Sequence, residues 1–280
     1  MLKEIHEQSQ SLQHCISGRL RHAEGTSVLG GLQVQPQKLA QLPHVRLIGC
    51  GTALHAAQIG QILIEQWARI PAVSHVASEF NANDPVINPK ALHLAISQSG
   101  ETADTLSAVK EIQRKGADVY GVVNVVGSSI ARQCGKGVYI HSGPEQSVAS
   151  TKAFTNMVGA LALFALQLGR SRHLSKTKGK SIIREMRTLP EKIRAYLEQP
   201  GPIEQAVELV TKAKSVLFLG RGISSPVASE GALKLMEIAY IPCLAYPAGE
   251  MKHGPIALIE QDSPVVVIAP NDGVQERTLN

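Results

Sequence analysis

Residues Leu94–Thr105 read LAISQSGETADT and carry the clearest structural signal in the chain. The residues just before the polar part, Ala91–Ile96, are apolar except for His93, which predicts a buried strand. Apolar residues return at helical spacing after Glu101, so the pattern predicts a strand, a turn and a helix. Such a unit is typical of a parallel α/β sheet.

The turn in this stretch is rich in hydroxyl groups, at Ser97, Ser99, Thr102 and Thr105, and Gly100 permits a tight turn. Free N–H groups at a helix start attract anions, and hydroxyls add neutral donors, so we expect a phosphate monoester here. The Gly-Lys-Ser/Thr ending of a nucleotide-binding P-loop and the three spaced glycines of a dinucleotide site are both missing. An ordinary helix capped by Ser or Thr remains an equal alternative on local evidence.

Two further stretches repeat the strand-to-glycine-turn pattern. Val45–Thr52 is followed by a helical pattern, and Val216–Gly222 restarts the same order in the second half, which predicts an internal duplication. The stretches 73–76, 119–123 and 137–140 predict further short strands that alternate with helices. Ligands of such sheets bind at the carboxyl ends of the strands, where Thr52 and the Ser97–Thr105 turn are expected to lie.

Six motifs in the same order resemble the SIS (sugar isomerase) domain family. More narrowly, they are similar to the isomerase half of the glutamine–fructose-6-phosphate aminotransferases. The resemblance runs from about Glu4 to the end of the chain, and its motifs are Cys50–Thr52, Ser97–Thr105, Val148–Phe154, Leu219–Gly222, Glu230–Lys234 and Gly249–Pro255.

The resemblance implies an α/β fold with two tandem SIS-type units, each a parallel sheet flanked by helices, the second truncated. We expect an N-terminal helical segment, a first SIS domain, a helical linker ending near Pro200-Gly201-Pro202 and an incomplete second SIS domain, over residues 1–35, 36–170, 171–202 and 203–280. The family's N-terminal glutaminase domain and its C-terminal tail, which carries a Schiff-base lysine, have no counterpart in this sequence.

The resemblance also implies a set of substrate-binding residues. Two positions depart from the family pattern, since Ala53 replaces a serine and Ser147 replaces a glycine. Lys152 has an alternative role as a solvated lysine at a helix start, and Cys50 as a buried small hydrophobic residue. The implied binding residues are Cys50, Gly51, Thr52, Ser97, Gln98, Ser99, Thr102, Val148, Ala149, Ser150, Lys152 and Glu230.

Three residues of the second half are implied to be catalytic. Lys234 and Glu237 are three positions apart on a predicted helix, so they share a face. Moving a proton between C1 and C2 of a sugar needs a base such as a partly buried carboxylate, and the resemblance assigns this step to Glu237 with Lys234 assisting. It assigns sugar ring opening to His253. The alternatives are a solvated ion pair and a surface histidine.

Composition excludes several classes of function. The 280 residues carry a net charge of +5 with scattered basic residues and 4% aromatics, which argues against nucleic-acid binding. The four cysteines have wide, irregular spacings, so neither a metal site nor another cofactor is expected, and reduced thiols in the cytoplasm are the simplest account. The charged N-terminus is unlike a signal peptide, and the apolar run 160–168 is too short to span a membrane.

The expected function is therefore that of the isomerase region of a glutamine–fructose-6-phosphate aminotransferase. Such a region converts fructose 6-phosphate to glucosamine 6-phosphate with ammonia from a glutaminase part not present in this chain. The implied partners are hexose 6-phosphates, a second copy in a homodimer and a possible separate glutaminase subunit. The alternative is a non-catalytic phosphosugar-binding module or a truncated remnant.

Overall fold

The computed structural model describes residues 1–199, 201–261 and 263–279. The chain forms two compact units, Met1–Arg194 and Ala195–Asn280. The division falls inside a long helix, Lys176–Leu197, within the stretch predicted as a helical linker. Pro200, where we predicted a break, lies outside the described residues. The three boundaries between the four segments proposed from the sequence remain predictions.

The first unit alternates strands and helices, as the sequence pattern predicts. Its strands are β1 (Leu20–Arg21), β2 (Thr26–Ser27), β3 (Val45–Gly49), β4 (Ala72–Val76), β5 (Leu92–Ser97), β6 (Val119–Val123) and β7 (Gly137–Tyr139). Its helices are α1 (Leu2–His6), α2 (Gln8–Ile16), α3 (Pro36–Ala40), α4 (Thr52–Ala68), α5 (Ala77–Phe80), α6 (Ala103–Arg114), α7 (Ser129–Cys134), α8 (Lys152–Arg170) and α9 (Lys176–Leu197).

A five-stranded parallel sheet with the order β4-β3-β5-β6-β7 forms the centre of the first unit. Every residue of β5 and of β6 is buried, which is the reason why these strands read as continuous apolar runs. From β3 the chain adds β4 on one side and β5 on the other. The carboxyl ends of β3 and β5 therefore form a topological switch point, the usual place for a ligand in such a sheet.

The N-terminal segment, predicted to be helical, is helical only in part. Two short helices, α1 and α2, precede a small antiparallel pair formed by β1 and β2. Leu12, Cys15 and Ile16 of α2 are buried, whereas Leu20 belongs to β1. Gly18, with φ +71°, turns the chain after α2, so the helical face cannot extend to Leu20.

Helix α8 is the core helix that the apolar run 160–168 predicted. It packs against α4 so closely that a Cβ atom at Gly60 would lie 2.9 Å from Leu161 Cδ1. By length and composition α8 is also the one described helix that could cross a membrane, but 72% of its apolar window is buried inside the protein. This burial is typical of a core helix in a globular domain.

The second unit contains a three-stranded parallel sheet with the order β10-β8-β9. Its elements are α10 (Gly201–Val210), β8 (Val216–Gly220), α11 (Ser224–Ala239), β9 (Cys243–Pro247), β10 (Val265–Ile268) and α12 (Gln275–Leu279), with 3₁₀ turns at Ala248–His253 and Pro255–Leu258. The structure thus confirms an α/β fold with two parallel sheets.

The second sheet repeats the arrangement of β4, β3 and β5, with the first strand in the middle. The turns after the two middle strands match in detail. Gly51 and Gly222 both have positive φ angles, +52° and +58°. Gly49 and Gly220 both approach the following helix so closely that a Cβ atom would collide with its first turn. These matches support the duplication predicted from the sequence.

Candidate functional site

The hydroxyl-rich turn between β5 and α6 lies at the switch point of the first sheet. The hydroxyl groups of Ser97 and Thr102 are 3.0 Å apart and hydrogen bonded, and Ser97 Oγ also accepts from Gly100 N at 3.0 Å. Ser99 Oγ accepts from Glu101 N at 3.1 Å. The hydroxyls therefore hold the turn in shape, and those of Ser99 and Thr102 remain partly accessible.

Gly100 is required at this turn for two reasons. Its φ is +67°, and a Cβ atom there would overlap the Ser128 hydroxyl. Gly100 also accepts, through its carbonyl, from Ile130 N at 2.9 Å, and Glu101 Oε1 accepts from Ser129 N at 2.8 Å. Hydrogen bonds from the Ser129 side chain and backbone lower the pKa of Glu101. The turn is thus fixed against the start of α7.

The start of α6 is open to a ligand. Thr102 is its N-terminal cap residue, but within the described part of the chain the Thr102 side chain makes no capping hydrogen bond. The first N–H groups of a helix have no partner within the helix, and the helix dipole favours a negative charge at this end. A phosphate at the turn would therefore meet unused backbone donors as well as the hydroxyl groups.

The second predicted turn, Cys50–Thr52, follows β3 and therefore ends beside the hydroxyl-rich turn. Helix α4 begins at Thr52, and its N-cap residue, Gly51, has no side chain with which to cap this start. Gly51 is exposed and Thr52 is half-buried. Cys50 is half-buried and packs against the core beneath α6, as expected of a small hydrophobic residue, and Ala53 is buried.

The loop before α8 has a different character, because its helix start is already occupied. The carboxylate of Glu145 accepts from Thr151 N at 2.9 Å and from Ala153 N at 3.1 Å. Ser150 Oγ donates to the same carboxylate at 2.9 Å. An anion cannot use these donors while Glu145 holds them. Val148 is exposed and Ala149 is buried.

Lys152, the predicted sugar-contacting lysine, is buried rather than solvated. Its ammonium group donates to Glu7 Oε2 at 2.6 Å, and only 5% of its side chain is exposed. The carboxylate of Glu4 accepts from Gln146 N at 2.7 Å and from Ser147 N at 3.2 Å. Residues of the N-terminal segment therefore hold the loop from one side, and Glu145 holds it from within.

In the second unit, α11 brings together the predicted catalytic lysine and two carboxylates. Lys234 Nζ lies 2.7 Å from Glu237 Oε2 and 3.2 Å from Glu230 Oε1. The exposed fractions of the three side chains fall from 34% for Glu237 to 18% for Lys234 and 7% for Glu230. Glu237 is the more accessible carboxylate, which suits a group that must reach a substrate proton.

His253 ends the 3₁₀ turn Ala248–His253 and is exposed. The turn is anchored by Met251, which is buried against Leu217 and Leu219. At its start, Gly249 lies against the guanidinium of Arg221, which follows β8. His253 therefore lies at the surface of the second unit, on a turn that is fixed by these contacts.

Sequence reasoning missed three acidic residues, Glu4, Glu7 and Glu145, that hold the loop carrying Lys152. A signal existed for Glu145, because an acidic residue shortly before a helix start is a common cap. None existed for Glu4 and Glu7, which contact backbone and side-chain groups more than a hundred residues away. Among residues 1–199, 201–261 and 263–279, no three His, Cys, Asp or Glu residues form a group that could hold a metal ion.

Comparisons with known proteins identify the family to which this fold belongs. A family model of the SIS domain matches residues 38–167 and 209–279. The chain belongs to the SIS domain family. Within it, a solved SIS relative, the C-terminal domain of glucosamine-fructose-6-phosphate aminotransferase from Francisella tularensis, superimposes with a TM-score of 0.93. It is 35% identical, and the match covers all of this chain and 78% of the solved one.

Curated relatives are also glutamine–fructose-6-phosphate aminotransferases. A glutamine–fructose-6-phosphate aminotransferase (isomerizing) of Thermus thermophilus is 48% identical over 281 aligned positions, and that of Chlorobaculum tepidum is 46% identical over 280. Each match covers all of this chain and 46% of the relative, so the SIS chain spans about half the length of these enzymes. The resemblance stated from the motifs is confirmed.

Proposed function

We propose that this chain binds hexose 6-phosphates and acts on fructose 6-phosphate as an isomerising enzyme, forming glucosamine 6-phosphate where ammonia is supplied. The observation that carries the proposal is the uncapped start of α6 beside the hydroxyls of Ser97, Ser99 and Thr102 at the switch point of the sheet. Backbone and hydroxyl donors without a fixed cation suit a phosphate monoester. The names of the relatives support the choice of sugar.

In this proposal the sugar chemistry belongs to the second unit. Glu237 takes the proton from one of the two carbons C1 and C2 and returns it to the other. Lys234, which is hydrogen bonded to Glu237, holds the carboxylate in place and assists the transfer. His253, exposed at the end of its 3₁₀ turn, exchanges the proton that opens the sugar ring.

A second candidate, a phosphosugar-binding module without turnover, is favoured by the state of two lysines. Lys152 is ion-paired with Glu7, and Lys234 lies between Glu230 and Glu237. An ammonium group held in an ion pair is not a nucleophile and cannot form a Schiff base with the open ketose until it loses its proton. Binding without catalysis is therefore the alternative outcome for this chain by itself.

The binding test is calorimetric titration of fructose 6-phosphate and glucosamine 6-phosphate into the chain and its Ser99→Ala/Thr102→Ala variant. Each lost hydroxyl removes a donor to a charged acceptor, about 1.5–3 kcal/mol, so affinity should fall by more than an order of magnitude. The control is Thr188→Ala/Thr211→Ala, which removes two exposed hydroxyls that bond only carbonyls of their own helices. Equal affinity of the wild type and the turn variant would place the phosphate elsewhere.

The turnover test separates the two candidates. The chain is incubated with fructose 6-phosphate and ammonium, and separately with glutamine, and glucosamine 6-phosphate and aldose products are quantified. Product supports the enzyme, whereas binding without product supports the module. Borohydride trapping followed by mass spectrometry then shows whether Lys152 or Lys234 forms an imine. The homodimer and the separate glutaminase subunit remain parts of this proposal, to be tested by sizing and co-purification.

A further inference from the structure

A cavity of the first unit is lined by residues of β3, β4 and α5 and of the loop that follows α5. It has a volume of about 500 Å³, within the range of small-molecule pockets. Arg46 of β3 and His75 of β4 line it together with Phe80, Asn83 and Val86. Arg46 itself lies four residues before Cys50, about 13 Å along β3 from the turn at its carboxyl end.

The Arg46 guanidinium is poorly satisfied. It has five N–H donors to satisfy, and Nη2 donates to Val86 O at 3.1 Å. Its Nε and Nη1 atoms are buried and have no acceptor among the residues that the structure describes. The remaining contact is with the ring of Phe80, whose centroid is 5.6 Å from Cζ. Burying such donors without acceptors is unfavourable, so the site is short of an acceptor group.

Among the residues that the structure describes, Arg46 makes no ion pair with a carboxylate that would compensate this charge. His75 stands edge-on to Phe80 at 5.5 Å, and its buried Nε2 also lacks a partner. His93 is the neighbour of Arg46 across the sheet. Glu79 lines the cavity but is exposed.

The cavity is already formed without a ligand. The segment that closes it, Asn81–Val86, is tied to the body of the unit at both ends. Asn81 Nδ2 donates to Ser107 Oγ at 2.7 Å, and Lys115 Nζ donates to Asp84 Oδ1 at 2.6 Å and to Pro85 O at 2.9 Å. A ligand would therefore not have to order the segment before binding.

We propose that this cavity is a second anion site, which binds the carboxylate or phosphate group of a small metabolite through the Arg46 guanidinium and the His75 ring. A planar guanidinium with unused donors matches both oxyanions, which it can bind through two parallel hydrogen bonds. The site is separate from the hydroxyl-rich turn and does not rest on the proposed function.

The test uses the full chain carrying Ser99→Ala/Thr102→Ala, so that the turn contributes little to anion binding. Inorganic phosphate and, separately, acetate are titrated by calorimetry in a chloride-free buffer at neutral pH. We expect one saturable site for at least one of the two anions. Adding Arg46→Met should weaken that binding by about tenfold or more, because the bidentate donor is lost.

The matched control is Arg114→Met, which removes the same charge from an exposed arginine of the same unit that pairs with Glu111. The chain with Arg114→Met added should bind either anion with the same affinity as the Ser99→Ala/Thr102→Ala chain. Phosphate binding alone identifies a phosphate ligand, and acetate binding alone identifies a carboxylate ligand. Binding of neither anion, or binding that Arg46→Met leaves unchanged, overturns the proposal.

If circular dichroism shows that Arg46→Met does not fold, the variants Arg46→Lys and His75→Phe test the site instead. The lysine keeps the charge but loses the planar fork, and the phenylalanine keeps the ring against Phe80 but loses its nitrogens. Both should weaken binding severalfold, and unchanged binding in both rejects the site. The outcome is independent of the hexose 6-phosphate experiment. That experiment measures the contribution of Ser99 and Thr102 to sugar-phosphate affinity, whereas this one measures the contribution of Arg46 and His75 to anion affinity.

Discussion

The buried ammonium of Lys152 lies 2.6 Å from the carboxylate of Glu7, a residue 145 positions earlier in the chain. Glu4, one helical turn before Glu7, accepts from the backbone of Gln146 and Ser147 in the same loop. The N-terminal segment therefore sets the conformation of the loop that the SIS resemblance assigns to the sugar. Substitutions in that segment should change the loop without touching the phosphate turn.

The Glu7→Gln variant tests this ion pair through the pH dependence of stability. The hydrogen bond from Lys152 lowers the pKa of Glu7 below its usual 4.5, so the pair stabilises the fold above pH 4.5. This contribution is lost as the pH falls further, through the folded-state pKa. Urea unfolding from pH 3 to 8 should show the variant less stable above about pH 4.5, with the difference shrinking in acid. Glu191→Gln, in an exposed pair with Arg194, is the control and should follow the wild type.

Gly100→Ala should destabilise the first unit and abolish phosphosugar binding. The methyl group meets the Ser128 hydroxyl, and the backbone must keep a φ of +67°. Gly116→Ala is the matched control, since Gly116 has φ +84° and open space around its Cβ position. We expect the free energy of unfolding to fall by about 1 kcal/mol in the control, from backbone strain alone, and by roughly 2–4 kcal/mol in Gly100→Ala. Chemical unfolding measures both, and equal losses would mean that the close approach to Ser128 is unimportant.

Glu237→Gln should stop proton transfer while leaving sugar binding within a few-fold of the wild type. The amide can still accept from Lys234 but cannot take a proton from carbon, so kcat should fall roughly 10²- to 10⁴-fold. Deuterium incorporation from solvent at C1 of fructose 6-phosphate or at C2 of the aldose product, followed by NMR, measures the step directly. Glu208→Gln, an exposed position on α10, should exchange at the wild-type rate. Exchange that survives in Glu237→Gln would assign the base to another residue.

His93 should make the fold acid-sensitive over a defined range. Burial lowers its pKa from 6.5 to about 4, so the unfolded chain binds this proton more tightly than the folded one. Stability should therefore fall as the pH drops from 6.5 to 4, by roughly 3 kcal/mol from this group, and the effect levels off below pH 4. The His93→Gln variant should lose that slope in chemical unfolding. The exposed His22→Gln control should keep it.

The strands were predictable because a parallel sheet buried on both faces leaves continuous apolar runs. The run 119–123 coincides with β6, and Ala91–Ile96 is offset by one residue from β5. The apolar run 160–168 lies within the buried helix α8, which ends at Arg170. Helix starts were less certain, since α6 begins at Ala103 rather than at Glu101.

Long-range polar contacts were not predictable. The solvated alternative for Lys152 was wrong, because its partner Glu7 comes from a distant helix that no local pattern connects to it. The unsatisfied guanidinium of Arg46 could not be predicted either, because the sequence does not show whether a charged residue within a strand faces a partner. The roles of Glu237, Lys234 and His253 came from the family resemblance and remain predictions.

All strand pairs in the two larger sheets are parallel, and this arrangement has a consequence for synthesis on the ribosome. The middle strand β3 pairs with β5, whose first contact joins Val45 to Leu92. Within these two sheets no hairpin can form, because each neighbouring strand follows only after a crossover. At roughly 5–20 residues per second, the apolar strand β3 waits a few seconds for its second partner. During that time the edge of β3 that later pairs with β5 is unpaired, and an unpaired strand edge is a place where aggregation can start.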